Sequence, residues 1–216
     1  MTSSFGANDE AGINFLIVKI ITLRFLNKNC KKNNTVISFD RSKGFLKVEA
    51  GITLSQILST IVPYGWFLGV TPGTKYSTLG GAIASDIHGK NHHINGCFSE
   101  YVSDIDLMLP SGSIVTLVKE NELFKATCGG MGLTGVIVSA TIRLVKIKST
   151  NINQTTIKTA NLSETFNVFD KYADETYSVA WFDGFASGST FGRSIIQIGD
   201  FSTDGDLKFK DQSIKF

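Results

Sequence analysis

Apolar positions along the chain change their period several times, and each change marks an element. Residues 35–39 and 45–48 are short runs rich in Val, Ile and Phe, predicting two strands joined by a turn over residues 40–44. Thr53 with Gln56 three residues on is a capping-box pair, and Ile57, Leu58 and Ile61 form one apolar face, so a helix is predicted that ends at Pro63 and Gly65. Residues 66–70 predict a short buried strand. In residues 101–109, Val102, Ile105, Leu107 and Leu109 stand against Ser103, Asp104 and Asp106; with the turn 110–112 and the returning run 113–118 they predict a hairpin. Asn121 caps a short helix to about Thr127, and the β-branched run 136–147 predicts a long strand.

Composition shifts near Ser149, dividing the chain into 1–149 and 150–216. The polar stretch 150–160 reads as an edge strand or linker, and residues 161–172, apolar at 162, 166, 168 and 169, have helical spacing. Residues 177–182 and 194–198 predict two strands of another sheet, the first carrying a buried aromatic pair, Trp181 and Phe182.

Composition narrows the function classes. Forty-two per cent of the 216 residues are hydrophobic and 19% are charged, which excludes intrinsic disorder as the main state. Lys and Arg number 21 against 19 Asp and Glu, so there is no electrostatic footprint for nucleic acid. Cys30, Cys97 and Cys128 are too few and scattered for a disulfide framework and suit a reduced compartment. The apolar run 13–26 is broken by Lys19, Thr22 and Arg24, and is short for a membrane span of about 20 residues. Asp9 and Glu10 give it the wrong charge for a signal peptide, so a cytoplasmic location is expected.

Residues 71–97, TPGTKYSTLGGAIASDIHGKNHHINGC, differ in kind from the rest. Small side chains dominate the middle, allowing close approach to the backbone. A helix starting at Thr78 would offer free N–H groups to an anion such as a diphosphate; the alternative is tight helix–sheet packing. All three histidines, His88, His92 and His93, fall here around Lys90. His88 and His92, four apart with Cys97 beyond, fit a zinc spacing on a helix, but Gly89 and Asn91 argue against a helix. A pocket wall, with His and Lys donating to an electron-rich ring or an oxyanion, is favoured over a solvated loop. Gly130, Gly132 and Gly135 spell G-x-G-x-x-G, yet a helix precedes and a strand follows, so the dinucleotide fingerprint is rejected. The glycines would still let the backbone pass close to something flat or crowded, and a helix C-cap at Gly129 followed by a bulge is an equal reading.

Residues 72–96, with 101–106 and 129–135, resemble the flavin domain of the FAD-linked oxidases of vanillyl-alcohol-oxidase type. The string from Ile87 to His93, Ile-His-Gly-Lys-Asn-His-His, is similar to that of the family's polyprenylphosphoryl-ribose oxidases, and the likeness extends over roughly residues 45–205. It implies an α+β fold: a two-subdomain PCMH-type FAD-binding domain over 1–149, incomplete at its N-terminus, then the beginning of an antiparallel-sheet substrate domain over 150–216. Gly73, Thr78, Leu79, Gly80 and Gly81 would lie along the diphosphate and ribityl chain. Ser85, Asp86, Ile87 and His88 would approach the flavin, and Ile137 the adenine side through its backbone. His88 and Lys90 would wall the pocket where ring and substrate meet, and no metal is implied.

The family's first diphosphate loop is reduced here to Ser4-Phe5-Gly6, leaving Gly6 as its cofactor contact. The family's covalent histidine lies in that loop where it exists; this chain has none there, so noncovalent FAD is expected. The main catalytic residues fall beyond Phe216, so the resemblance implies a fragment of an FAD-dependent oxidoreductase acting on CH–OH groups. Its parent would oxidise the 2-hydroxyl of decaprenylphosphoryl-ribose to a ketone in arabinose-donor synthesis, with a nicotinamide-dependent reductase as partner. The lipid-linked substrate would place the parent beside a membrane. Aldonolactone oxidation is the alternative within the family, and a non-catalytic ligand- or metal-binding module the alternative outside it.

Overall fold

The computed structural model describes residues 34–209; Gly6, Cys30 and the run 13–26 lie outside the described residues. Strand β1 (Val36–Asp40) turns at Gly44, which has φ +73°, into β2 (Phe45–Glu49). Helix α1 (Leu54–Ile61) starts on the expected capping box: the Gln56 amide donates to Thr53 Oγ1 and the Thr53 amide to Gln56 Oε1. Strand β3 (Trp66–Leu68), helix α2 (Leu79–Ala84) and the single turn α3 (His92–Asn95) follow. The hairpin β4 (Val102–Met108) and β5 (Ile114–Val118), helix α4 (Glu122–Thr127) and the long strand β6 (Val136–Lys146) complete this part.

The main sheet is antiparallel in the order β1-β2-β6-β4-β5, with β3 pairing the C-terminal end of β6. Rows of buried side chains cross it: Val48, Ala140, Ile105 and Leu117 form one row, and Leu46, Ile142 and Val102 another. These pack against α1 and α2. Val102 and Ile105 are three apart yet share a face, because a bulge between Val102 and Asp104 adds one residue to β4 against β6.

The opposite face of the same sheet is polar. Lys47 Nζ lies 2.8 Å from Asp106 Oδ2 and 3.7 Å from Asp104 Oδ1. Ser139 and Thr116 donate to the two Asp106 oxygens at 2.6 and 2.7 Å. Burial opposes ionisation of Asp106, but the bonds from Lys47, Ser139 and Thr116 outweigh it and hold its carboxyl below the ordinary value.

After β6 come β7 (Ile152–Thr159), α5 (Leu162–Lys171), β8 (Tyr177–Phe182) and β9 (Ser194–Phe201), a three-stranded antiparallel sheet in the order β7-β9-β8. Residues 150–160 therefore include an edge strand. The helix expected over residues 161–172 forms, and one expectation is corrected here. Trp181 and Phe182 are 67% and 68% exposed rather than buried, since β8 is an edge strand and nothing among the described residues covers its far end. On α5 the fully buried residue is Thr165: its Oγ1 donates to Asn161 O and Gly192 O and meets Thr159 Oγ1 at 2.7 Å. Val168 and Phe169 are half-buried beside it, so hydroxyl pairing adds to apolar contact in seating this helix.

Because the Asp106 carboxyl is lowered on folding, its contribution is present above the unfolded value of 3.8 and is lost as pH falls through the folded value. Asp106→Ala should cost about 1–3 kcal/mol in urea denaturation at pH 7, and the gap from the parent chain should narrow at pH 3. A gap that stays constant down to pH 3 would show that the charge is not what stabilises this face.

Candidate functional site

Two segments zip together to place α1 and α2. Leu79 N donates to Ile52 O and Gly80 N to Ala50 O, each at 2.8 Å, while Leu54 N donates to Ser77 O and Ser55 N to Lys75 O. Thr53 and Thr78, the caps of the two helices, face each other in an isolated bridge. A Cβ on Gly80 would sit 3.0 Å from Ala50 Cβ and 3.3 Å from Ala50 O, so this glycine serves close packing.

This ladder corrects the expected anion site. The first N–H groups of α2 are engaged: Leu79 and Gly80 bond the 50–52 carbonyls, and Gly81 N bonds Thr78 Oγ1 at 3.2 Å. Among the described residues, the amides of Gly73 and Gly132 find no hydrogen-bond acceptor. Leu79 is fully buried in the core and presents no side chain to the surface.

What α2 does expose is one narrow face of small groups, Thr78, Gly81 and Ser85, with His88 exposed just beyond. The second glycine cluster docks beside it: Gly129 N donates to Ile83 O at 3.0 Å and Met131 N to Ala84 O at 2.9 Å. Gly129 and Met131 have φ of +75° and +50°, and a Cβ at Gly130 would collide with the Ala126 carbonyl. Met131 is 70% exposed, its sulphur 3.7 Å from Ser85 Oγ. Sequence reading passed over this methionine; its place inside a glycine cluster was the available signal. The element order at the cluster, α4 before and β6 after, agrees with rejection of the dinucleotide fingerprint.

The remaining anticipated residues divide by role. Asp86, at φ +40°, accepts from Ser99 N at 2.8 Å and Ser99 Oγ at 3.0 Å, so its carboxylate ties the turn after α2 to the segment before β4. Ile87 is half-buried, its amide bonded to Ala82 O and its carbonyl to Phe98 N. Ile137 sits in β6 opposite Leu107, half-buried against the core. Gly73 borders a cavity of about 440 Å³ beneath the loop 71–76. The His88 and His92 rings meet edge-to-face at 5.5 Å, although His88 lies outside the single turn of α3. Among the described residues no third His, Cys, Asp or Glu joins them in a metal-ligating cluster. Burial and the nearby Asp86 raise the Cys97 and Cys128 thiols, the latter to about 11, so neither is a ready nucleophile.

Lys90 stands where the two sheets meet. Its carbonyl accepts from Ser178 N at 3.0 Å, and His93 Nε2 donates to Glu175 O at 3.0 Å. Buried Asn91 anchors the turn, donating through Nδ2 to Gly69 O at 2.7 Å and to Asn95 Oδ1 at 3.0 Å. A cavity of about 330 Å³ opens here, lined by Phe67, Thr71, Lys90, Gln154, Tyr177 and Gln197 among others. Its aromatic floor spans both sheets: Phe67 lies edge-on to Phe201 at 5.0 Å, and Phe201 edge-on to Tyr177 at 5.9 Å.

An antiparallel α+β domain with an open small-residue face beside a glycine turn, leading into a His/Lys-lined cavity, has the features of a flavin-binding domain. The chain carries an FAD-binding domain of the FAD-linked oxidase family: residues 24–118 match the FAD binding domain model. It is 36% identical to the decaprenylphosphoryl-beta-D-ribose oxidase of Mycolicibacterium smegmatis, over 85% of this chain and 41% of that protein. It is 30% identical to the Delta(24)-sterol reductase of Homo sapiens, over 52% of this chain and 22% of that protein, and 26% identical to a D-lactate dehydrogenase of Anaerostipes hadrus, over 53% and 26%. The chain thus spans 41% or less of the length of these curated relatives. Among the described residues no helix is long and apolar enough to cross a membrane.

The two neighbouring glycines should separate packing from cofactor contact. Gly80→Val should lower the melting temperature, because its side chain meets Ala50 backbone. Gly81→Val, whose Cβ meets only Thr78 Oγ1 at 3.2 Å, should keep the fold by circular dichroism and lose FAD on desalting. Full FAD retention by Gly81→Val would remove the exposed face of α2 from the cofactor site.

Proposed function

We propose that this chain is the flavin-binding part, with the opening of the substrate domain, of an oxidoreductase that converts a secondary alcohol of a polyprenyl-phosphate-linked sugar to a ketone. The substrate proposed is decaprenylphosphoryl-ribose, oxidised at its 2-hydroxyl. The carrying observation is the position of Lys90: its loop continues the small-residue face of α2, and the residue lines a cavity walled by the second sheet. The likeness to the decaprenylphosphoryl-beta-D-ribose oxidase of Mycolicibacterium smegmatis, 36% identical over 85% of this chain, supports the choice of substrate.

The small side chains of Thr78, Gly81 and Ser85 fit a flat group laid against α2, and Met131 forms a flank beside Ser85. The amides of Gly73 and Gly132, without an acceptor among the described residues, are donors suited to the cofactor's phosphate and ring oxygens. Bound noncovalently, FAD would supply the acceptor for the hydride, which carries both electrons from the alcohol carbon, while the hydroxyl proton would pass to a basic side chain of the parent enzyme. His88 and Lys90 orient the sugar and offer hydrogen bonds to its oxygens, and the sheet β7-β9-β8 keeps water from that side. In this reading residues 1–149 hold the cofactor and residues 150–216 begin the substrate domain. A nicotinamide-dependent reductase acting on the ketone product is the proposed partner.

The chain incubated with FAD and desalted should keep a flavin absorbance spectrum, and acid precipitation should release all of the flavin to the supernatant. His88→Ala and Lys90→Ala should retain FAD to the same extent, yet weaken the flavin spectral response to ribose 1-phosphate about tenfold to a hundredfold. Unchanged response in both variants would remove these side chains from the pocket wall, and flavin left in the pellet would refute noncovalent attachment.

A further inference from the structure

We propose that the Tyr177 hydroxyl is a specificity-determining donor that binds a sugar hydroxyl in the cavity lined by Lys90; this rests on the substrate reading above. Tyr177, Gly199 and Gln154 occupy one row across β8, β9 and β7, on the face that lines the cavity. Gly199 carries no side chain, so the row has a notch between a phenol and a carboxamide. Glycine is required there, since a Cβ would sit 2.7 Å from Asn153 O. Gln197, on the next row of the same face, adds a second carboxamide. A notch between a phenol and carboxamides, in a cavity that Lys90 also lines, matches a ligand with several hydroxyls rather than a hydrocarbon.

The Tyr177 hydroxyl has no hydrogen-bond partner among the described residues. It is also absent from the buried polar atoms that lack one, so its unmet bond faces reachable space. The ring is held on edge by Phe201, which is itself held by Phe67. Burial chiefly, with Asp200 and Tyr101 nearby, pushes the phenol up to about 12. It therefore keeps its proton near neutral pH and acts as donor, not as the base that accepts the alcohol proton.

Tyr177→Phe tests this, because it keeps the ring and its contact with Phe201 and removes one oxygen. The FAD-loaded chain is titrated with ribose 1-phosphate and separately with farnesyl phosphate, which carries no sugar, with flavin difference absorbance as the readout. The variant should keep its FAD and its farnesyl phosphate titration, while half-saturation by ribose 1-phosphate rises about tenfold. Equal weakening of both ligands would overturn the assignment, since the hydroxyl would then be shaping the cavity rather than reading the sugar. A variant that titrates like the parent chain would overturn it too and leave the substrate reading intact. An FAD-loaded parent chain with no response to ribose 1-phosphate would overturn the substrate reading itself, and the role of Tyr177 with it.

Discussion

The contact between residues 50–55 and 75–80 is the constraint on which the site depends. Its backbone bonds pin the start of α1 and the start of α2 to one another, with Thr53 and Thr78 in register. The approach is closer than a side chain at Gly80 would allow. Once that contact forms, Leu79, Ala82 and Ile83 must face the core, and Thr78, Gly81 and Ser85 must face out. The exposed face is thus a consequence of packing on the other side of the helix. The helix amides are engaged by the same contact, which moves any anion binding away from the helix start.

A second dependence joins the two sheets. The segment from His88 to His93 is tied inward by Asn91 at Gly69 and outward by the Lys90 carbonyl and His93 at residues 178 and 175. Phe67, Phe201 and Tyr177 stack edge-to-face across the same boundary. Neither sheet alone forms the cavity, because β3 and its exit supply one wall and β7, β8 and β9 the other. Ordering the lysine loop and closing the cavity are therefore one event, and the cost of ordering the loop is offset by contacts on both sides.

Much of the fold was legible because it rests on local rules. The capping box at Thr53 and Gln56, the Asn121 cap and the turn glycines at 44, 65 and 112 each carry their own stereochemistry. Alternation along residues 101–109 marked β4 as a strand with one apolar face, whereas the bulge between Val102 and Asp104 emerged only from its pairing with β6. Local rules failed where burial depends on what else arrives. Trp181 and Phe182 look like core residues by type, yet β8 is an edge strand and its end is uncovered. Thr165 looks like a surface residue, yet a ring of hydroxyl and carbonyl partners lets it be buried.

The candidate site shows the same division. Residue type and spacing alone marked 71–97 as unusual, grouped the histidines with Lys90 and excluded a Rossmann turn at 129–135, since small residues, titratable groups and element order are properties of the chain itself. Whether a given glycine meets a ligand or a neighbouring strand was not such a property. Gly80 and Gly81 are adjacent and identical, and only the position of Ala50 makes one a packing residue and leaves the other open. Likewise Asp86 is a tether because Ser99 lies beside it, and Met131 flanks Ser85 because its amide finds Ala84. Sequence determined which chemical groups were available; the long-range pairing of strands and loops decided which of them were left free, because a hydrogen bond or a close contact made inside the fold removes that group from any ligand.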